Sequence, residues 1–470
     1  MSFRAGLAKN HAAQVPELQW DDSIASDAER YAAAEAADLY DAMGTGTVRR
    51  YSLLTTQEVA WHVAEKSPSK SKRYVQAFVD YIRSGTSRFS NRQSAVLKVK
   101  VEMLKAGKPP RVIHDFDSGE TVLAHAWAMV LEKFIRTRPS WKGLKTAEKW
   151  FPLEAAVGLF AHDCYIVCLD DVARDCNTIR HDFMALSHLL RLLGVDMIRE
   201  GHLHRLLRRG IKLFTPFGWV LSPIMRLFSG ASFTSSMNFV TSRFFWYRLR
   251  RWLGLRTSDI VVICEGDDTI AVIRGNSYRR LHLDTVLNDA WVAAAGLRCG
   301  KVLKVEQMGW FGDGTAWPAV GGKIVFCDGV WSFLPDLGRA YIKAGWAINH
   351  DFVSARVMAG RITARSWALN DRFNGVPIFW AYARVVAAHA ASLGAKPLFD
   401  SDEDFNRFEE GWSGGLASGP TDSARKAYAV AYGVGIGNQL LLESLLFKCI
   451  DDSDFTRDLT VEFRDLARPD

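Results

Sequence analysis

The chain has 470 residues, ordinary apolar and aromatic content, and 59 basic against 52 acidic side chains, for a net charge of +7 and a pI near 9.0. That balance excludes an acidic disordered chain and a low-complexity one; the mild positive charge suits contact with polyanions without demanding it. Seven cysteines, at 164, 168, 176, 264, 299, 327 and 449, form no CxxC pair and no Cys/His spacing for zinc, and their odd, scattered number fits a reducing compartment.

In chain order, the first twenty residues contain no apolar stretch of the signal-peptide kind. Residues 20–45, Ala-rich and acidic, predict a helix. A basic loop, KSPSKSKR at 66–73, opens a helical stretch, and this loop also suits a plain solvated surface. Residues 95–113 predict strand, turn and strand, punctuated by Gly107, Pro109 and Pro110. Val122–Ile135 has helical spacing. The apolar run Phe151–Leu169 is broken by Glu154, His162 and Asp163, and Leu213–Phe228 by Pro216, Pro223 and Arg226, so neither predicts a membrane span.

Cys164–Leu169 (CYIVCL) predicts a buried strand that runs into acids. Residues 178–212 predict a basic helical region and 231–253 a long helix. Ile260–Cys264 and Thr269–Ile273 flank a turn and predict a hairpin. A further hairpin is expected near Lys301–Val305 and Lys323–Cys327, and the chain is mostly helical from 336 onward. The fold class is α+β, with a small antiparallel sheet and helices around it.

The chemistry concentrates on acids. The hairpin DIVVICEGDDTIAVI carries Gly266, Asp267 and Asp268 at its turn. Adjacent carboxylates repel unless a cation sits between them, and such hard oxygen ligands suit Mg²⁺. Asp and Gly are also ordinary turn residues, so the triplet suits a plain hairpin as well. The strand CYIVCL leads into Asp170, Asp171 and Asp175. If that strand lies beside the hairpin, Asp170 and Asp267 meet at one end of the sheet, where two carboxylates can hold two metal ions for in-line phosphoryl transfer.

Between the acid clusters, Ser229, Gly230, Thr234 and Asn238 form the pattern S-G-x3-T-x3-N. The glycine permits close backbone approach, and Thr234 and Asn238, four apart on a helix, share a face. A hydroxyl and an amide there can read a ribose hydroxyl. The same residues also suit a capped helix with Ser232 as the cap. RFFWYRLRRWLGLR at 243–256 interleaves arginines with aromatics, which suits either nucleic-acid contact or a helix covering a sheet. Gly312–Gly314 (GDG) echoes the acidic turn but lacks apolar strands on both sides and reads as a loop.

Together, D-x4-D at Asp170 and Asp175, S-G-x3-T-x3-N from Ser229 to Asn238, and G-D-D at Gly266–Asp268 occur in the order that resembles the viral RNA-dependent RNA polymerases of positive-strand RNA viruses, most closely the tombusvirus-like branch. The resemblance implies a right-hand fold: fingers at 1–155 with an insertion at 177–225, palm at 156–176 and 226–335, and thumb at 336–470. It implies two Mg²⁺ or Mn²⁺ ions on Asp170, Asp267 and Asp268. Asp175 and Asn238, with Thr234, become the ribose readers, and Ser229 and Gly230 a loop that moves with the template. Lys108 and Arg111 of KPPRVI resemble triphosphate contacts, and Lys70, Lys72 and Arg73 a template loop. IVFC at Ile324–Cys327 resembles the primer-grip hairpin, which makes Cys327 an RNA contact. Lys301 and Lys304 are the two candidates for the general acid beside pyrophosphate, and each also suits a plain surface lysine.

The implied partners are an RNA template and nascent strand, NTPs and other viral replication proteins. The implied place is the host cytoplasm at a membrane-associated complex, reached through a partner or an upstream segment. The sequence departs from its relatives at His114–Asp117, where another basic residue is usual, at Asp171 and Arg174, and at Asp328 after Cys327. A non-catalytic RNA-binding replicase subunit is the alternative that these departures leave open. A reverse transcriptase is disfavoured by Asn238 and by the form of the acidic turn.

Overall fold

The computed structural model describes residues 22–52, 58, 61–62, 64–65, 71–84, 94–99, 112–116, 128–172, 180–194, 212–215, 218–221, 234–336, 354–399 and 415–448. The chain opens with helices α1 (Asp22–Met43), α2 (Thr45–Ser52) and α3 (Ser71–Ser84), then strands β1 (Ser94–Val99) and β2 (Val112–Phe116). Helix α4 (Phe151–Leu159), strand β3 (Cys164–Asp171), helix α5 (Arg180–Leu192), strands β4 (Lys212–Thr215) and β5 (Gly218–Leu221) and helix α6 (Thr234–Trp252) come next. Strands β6 (Ile260–Glu265) and β7 (Asp268–Arg274), helices α7 (Gly275–Arg280) and α8 (Asp289–Arg298), and strands β8 (Leu303–Trp310), β9 (Thr315–Ala319), β10 (Gly322–Cys327) and β11 (Val330–Pro335) follow. The last described elements are helices α9 (Ala355–Arg372), α10 (Phe379–Ser392), α11 (Asp422–Tyr432) and α12 (Ile436–Lys448). The fold is mixed α+β, as the sequence predicts, with three small sheets among the described residues.

The chain divides into two compact units, Met1–Lys142 with Ala155–Trp310, and Gly143–Glu154 with Phe311–Asp470. The first unit holds an antiparallel sheet of order β6-β7-β3-β8. Its strands are rich in β-branched residues, and Ile166, Val167, Cys168 and Leu169 are all nearly inaccessible, so β3 is covered on both faces. One face packs Val167, Leu169, Ala271 and Ile273 against Phe245, Trp246 and Leu249 of α6 and Val292 of α8. A second core joins Tyr31 and Leu39 of α1, Leu131 and Phe134 of the helical stretch 128–136, Leu186 of α5, and Phe239 and Phe244 of α6.

Helix α6 therefore serves two cores. It ends at Gly254, whose φ of +68° suits glycine, with Leu255 N–H bonded to the Arg250 carbonyl and Gly254 N–H to that of Arg251. Arg248 is buried and Arg243 largely so, while Arg251 stays exposed. Arg243 Nε and Arg138 Nε each donate 2.8 Å to the Glu35 carboxylate, and Arg248 Nη1 lies 3.1 Å from Cys299 Sγ. Of the two readings of residues 243–256, the covering helix is the one found. Burial opposes the charge on Arg243, but the Glu35 carboxylate outweighs it and holds the guanidinium above its ordinary pKa.

Two expectations are corrected. Lys301–Val305 and Lys323–Cys327 do not form a hairpin with each other: β8 pairs with β3, whereas β10 lies between β9 and β11. Apolar alternation marks both as strands but carries no information on which strand is the partner. The helical region expected over 178–212 is helical at Arg180–Leu192, but Lys212–Thr215 is strand β4, which runs parallel to β1. The expected strands on either side of 100–111 are β1 and β2, paired antiparallel.

In the second unit, β9, β10 and β11 form an antiparallel sheet. Val325, Cys327 and Leu334 pack with Phe373, Phe379, Ala427, Tyr428 and Leu442. The β10–β11 turn is Asp328-Gly329, with φ of +52° and +74°, the two left-handed positions that a tight hairpin turn favours. Among the described residues no single helix is long and apolar enough to cross a membrane.

Candidate active site

The register of the first unit's sheet aligns four charged residues in one row. Glu265 of β6 lies opposite Asp268 of β7, Asp268 opposite Asp170 of β3, and Asp170 opposite Lys304 of β8. Directly opposed residues share a face, with Cα atoms about 4.5–5.5 Å apart. The row thus sets three carboxylates and one ammonium side by side at one end of the sheet. Asp170 and Asp268 are half-buried, and Asp267, at the turn tip, is exposed. Gly266 has a φ of +64° and Asp267 does not share that sign, which is the two-residue turn with glycine first.

Asp171 is separated from Asp170 by the pleat. It lies opposite Leu303 and is 3% exposed, on the face that carries Leu169 and Thr269. The strand alternation therefore assigns Asp170, not Asp171, to the acid row. Below Asp170 on its own face are Cys168 and Cys164. Burial, then the Glu306 carboxylate, pushes the Cys168 thiol up; burial, then Asp163, pushes Cys164 up to about 12. Both thiols are buried, and the oxygen donors on this face are the carboxylates of Asp170 and Asp268.

A bulge in β8 sets the position of Lys304. Below it Cys168 lies opposite Gln307, and above it Leu169 lies opposite Val305, so Glu306 is the extra residue. The bulge keeps Leu303, Val305 and Met308 against the core while Lys304 stays beside Asp170.

Helix α6 grips the acidic hairpin at two points. Ser242 Oγ donates 2.8 Å to the Gly266 carbonyl, and Trp246 Nε1 donates 3.1 Å to Thr269 Oγ1. Those two contacts bracket Asp267 and Asp268. Asn238 and Thr234 precede Ser242 by one and two helical turns on the same face. The Asn238 Oδ1 atom is shut off from solvent and accepts no hydrogen bond among the described residues. A buried amide oxygen in that state costs free energy unless a donor reaches it.

The two candidate lysines differ sharply. Lys301 is 2% exposed, and its Nζ lies 3.2 and 3.3 Å from the two oxygens of Asp182, itself buried on α5. Lys304 is exposed, on the acid row. Lys301→Met should strand the Asp182 charge and lower stability by about 3 kcal/mol in urea unfolding. Lys304→Met should leave unfolding unchanged and, if this lysine delivers a proton, slow turnover about a hundredfold.

Of the other predicted residues, Lys72 and Arg73 lie exposed in the first turn of α3, and Cys327 is buried at the end of β10. Burial, then Asp328 and Asp313, raises the Cys327 thiol pKa. Lys70, Lys108, Arg111, Asp175, Ser229 and Gly230 lie outside the described residues. Sequence reasoning missed Ser242 and Glu265. The spacing of four from Asn238 to Ser242 would have placed the serine on the same helix face, and the alternation of β6 would have placed Glu265 on the acid row.

Among the described residues no group of three His, Cys, Asp or Glu stands ready to cage a metal ion. The donor set instead suits Mg²⁺ bound as that ion often is, by one or two carboxylates with substrate phosphates and water completing its shell. Opposed Asp170 and Asp268, with Asp267 beside them, are the carboxylates that would be available to such an ion. A scan against protein-family models finds no match, and a search of curated proteins finds none either.

Proposed function

We propose that the protein is an RNA-dependent RNA polymerase, a viral replicase that adds NTPs to an RNA 3′ end on a template and releases pyrophosphate. The observation that carries this reading is the register of the sheet, in which two separate acidic motifs of the sequence face each other as Asp170 and Asp268. The helix bearing Thr234 and Asn238 is tied to the same turn through Ser242, which adds a third motif to one place. On this reading the first unit holds most of the palm and fingers of a right-hand fold, while residues 143–154 of the fingers and 311–335 of the palm fall in the second unit with the thumb helices after residue 336.

Asp170, Asp267 and Asp268 would hold two Mg²⁺ or Mn²⁺ ions. When bound, these ions activate the 3′-hydroxyl and stabilise charge on the transferring phosphate. The carboxylates set where the ions sit. The buried Asn238 amide, with Thr234 and Asp175, offers polar partners to a ribose hydroxyl, which separates NTPs from dNTPs. Lys304, beside Asp170, is placed to give its Nζ proton to the departing pyrophosphate. Lys301 holds Asp182 and is not assigned to the chemistry. By the resemblance, Lys108 and Arg111 would contact the triphosphate, Ser229 and Gly230 would belong to the loop that moves with the template, and Lys70, Lys72 and Arg73 would contact RNA; Cys327, packed in the core of the second unit, is left out of that set. Other replication proteins bring the enzyme to a membrane-associated complex in the host cytoplasm.

The test is incorporation of labelled NTP on a single-stranded RNA template with Mg²⁺ or Mn²⁺, wild type beside Asp267→Ala. Template-dependent product from wild type alone, with NTPs preferred over dNTPs, is expected. Equal product from both proteins would remove the hairpin acids from the mechanism. RNA binding without product would favour the non-catalytic subunit.

A further inference from the structure

We propose that Ser242 is a positioning residue that couples the ribose-reading face of α6 to the acidic turn; this rests on the polymerase reading above. The Ser242 side chain is 2% exposed, and its hydroxyl donates to the Gly266 carbonyl at 2.8 Å. A methyl group built on Gly266 would meet nothing within 4 Å, so packing does not wedge the turn at that residue. A hydrogen bond from α6 holds it instead. One turn further along the helix, Trp246 Nε1 holds Thr269 Oγ1 at 3.1 Å. The two aspartates therefore hang between two backbone or side-chain anchors, both supplied by one face of one helix.

Asn238 stands one turn to the other side of Ser242, with its amide oxygen buried and accepting no hydrogen bond among the described residues. A helix is stiff along its axis, so a shift of α6 that seats Asn238 on a ribose also moves the Gly266 carbonyl. Recognition of the sugar and placement of the carboxylates then share one mechanical element, and the two become energetically coupled. A coupling of this kind makes metal affinity, as well as sugar choice, depend on the Ser242 hydroxyl.

The experiment uses the full chain. Mn²⁺ binding is measured from the paramagnetic resonance signal of the free ion for wild type, Ser242→Ala and Ser242→Thr, beside thermal unfolding and NTP and dNTP incorporation. Ser242→Ala should bind Mn²⁺ about tenfold more weakly while remaining folded, with a small drop in unfolding midpoint of the size one buried hydrogen bond implies. Ser242→Thr, which keeps the hydroxyl, should restore binding. Asn238→Ala should lose less sugar discrimination in the Ser242→Ala background than in wild type. Unchanged Mn²⁺ affinity in folded Ser242→Ala overturns the proposal, as do equal losses in the Ala and Thr variants or strictly additive discrimination. Wild type that incorporates no NTP, while Ser242→Ala still weakens Mn²⁺ binding, sinks the polymerase reading and keeps the positioning role. Wild type that binds no Mn²⁺ sinks both.

Discussion

On the polymerase reading proposed above, Asp170→Asn should retain only about one part in a thousand of template-directed NTP incorporation and leave urea unfolding close to wild type. The size follows from the position of the carboxylate. Charge stabilisation by a bound metal contributes several kcal/mol to such a transition state, and each 1.36 kcal/mol is a factor of ten in rate. The substitution keeps shape and removes charge, at a position opposed to Asp268 on one side and Lys304 on the other. It relieves repulsion with Asp268 and gives up attraction to Lys304, two opposed effects of similar size, so stability should change little. Two controls separate site from composition. Asp313→Asn, in the exposed GDG loop of the second unit, should retain full turnover. Asp171→Asn changes a residue on the opposite face of the sheet, where any effect should appear in unfolding before turnover. Unimpaired incorporation by Asp170→Asn would end the two-carboxylate mechanism.

Glu35→Ala should lower stability by about 3–5 kcal/mol, the upper end of what a single ion-pair loss here is expected to cost. Glu35 accepts from Arg138 and Arg243 at 2.8 Å each, and the Arg138 guanidinium also reaches the Glu35 backbone carbonyl at 3.1 Å. All three side chains are largely withdrawn from water, at 8%, 11% and 16% exposure. Removing the glutamate leaves two guanidiniums with their charge and without their shared partner. Arg243 also reaches the Val262 carbonyl at 3.4 Å, so the loss should loosen α6 against β6 as well as α1. The measurement is the urea midpoint at neutral pH. The exposed pair Lys426–Asp328 is the contrast: Lys426→Ala should not shift the midpoint measurably. A Glu35→Ala midpoint equal to wild type would mean that water replaces the carboxylate and that the triad is not sealed.

Much of the first unit's centre is legible in the sequence. CYIVCL, the two apolar runs around Gly266, and the helix at 234–252 each announce their type through period and composition, because burial on a sheet or a core leaves a repeat behind. The acids at the ends of those runs mark the candidate site only in combination, since Asp and Gly are also ordinary turn residues. Other features leave no local trace. The partner of Lys301 is 119 residues away, and nothing near AGLRCGKVLK signals that its ammonium is buried. Strand β4 hides behind a basic, helix-like stretch because four residues are too few to establish alternation. The joining of β8 to β3 is obscured by Glu306, which breaks the period of two at the point where it would have been read.

That bulge also bears on which changes of chain length β8 can absorb. Glu306 is the residue in this strand without an opposite number on β3. Its loss would leave Val305 facing Leu169, Gln307 facing Cys168 and Lys304 facing Asp170, with one kink ironed out. Loss of Val305 would instead push the Glu306 carboxylate toward the packed face, and loss of Lys304 would bring an apolar side chain up to Asp170. The strand thus carries a single spare residue, and a lineage shedding length here has one position at which to do so without moving a charge from one side of the sheet to the other.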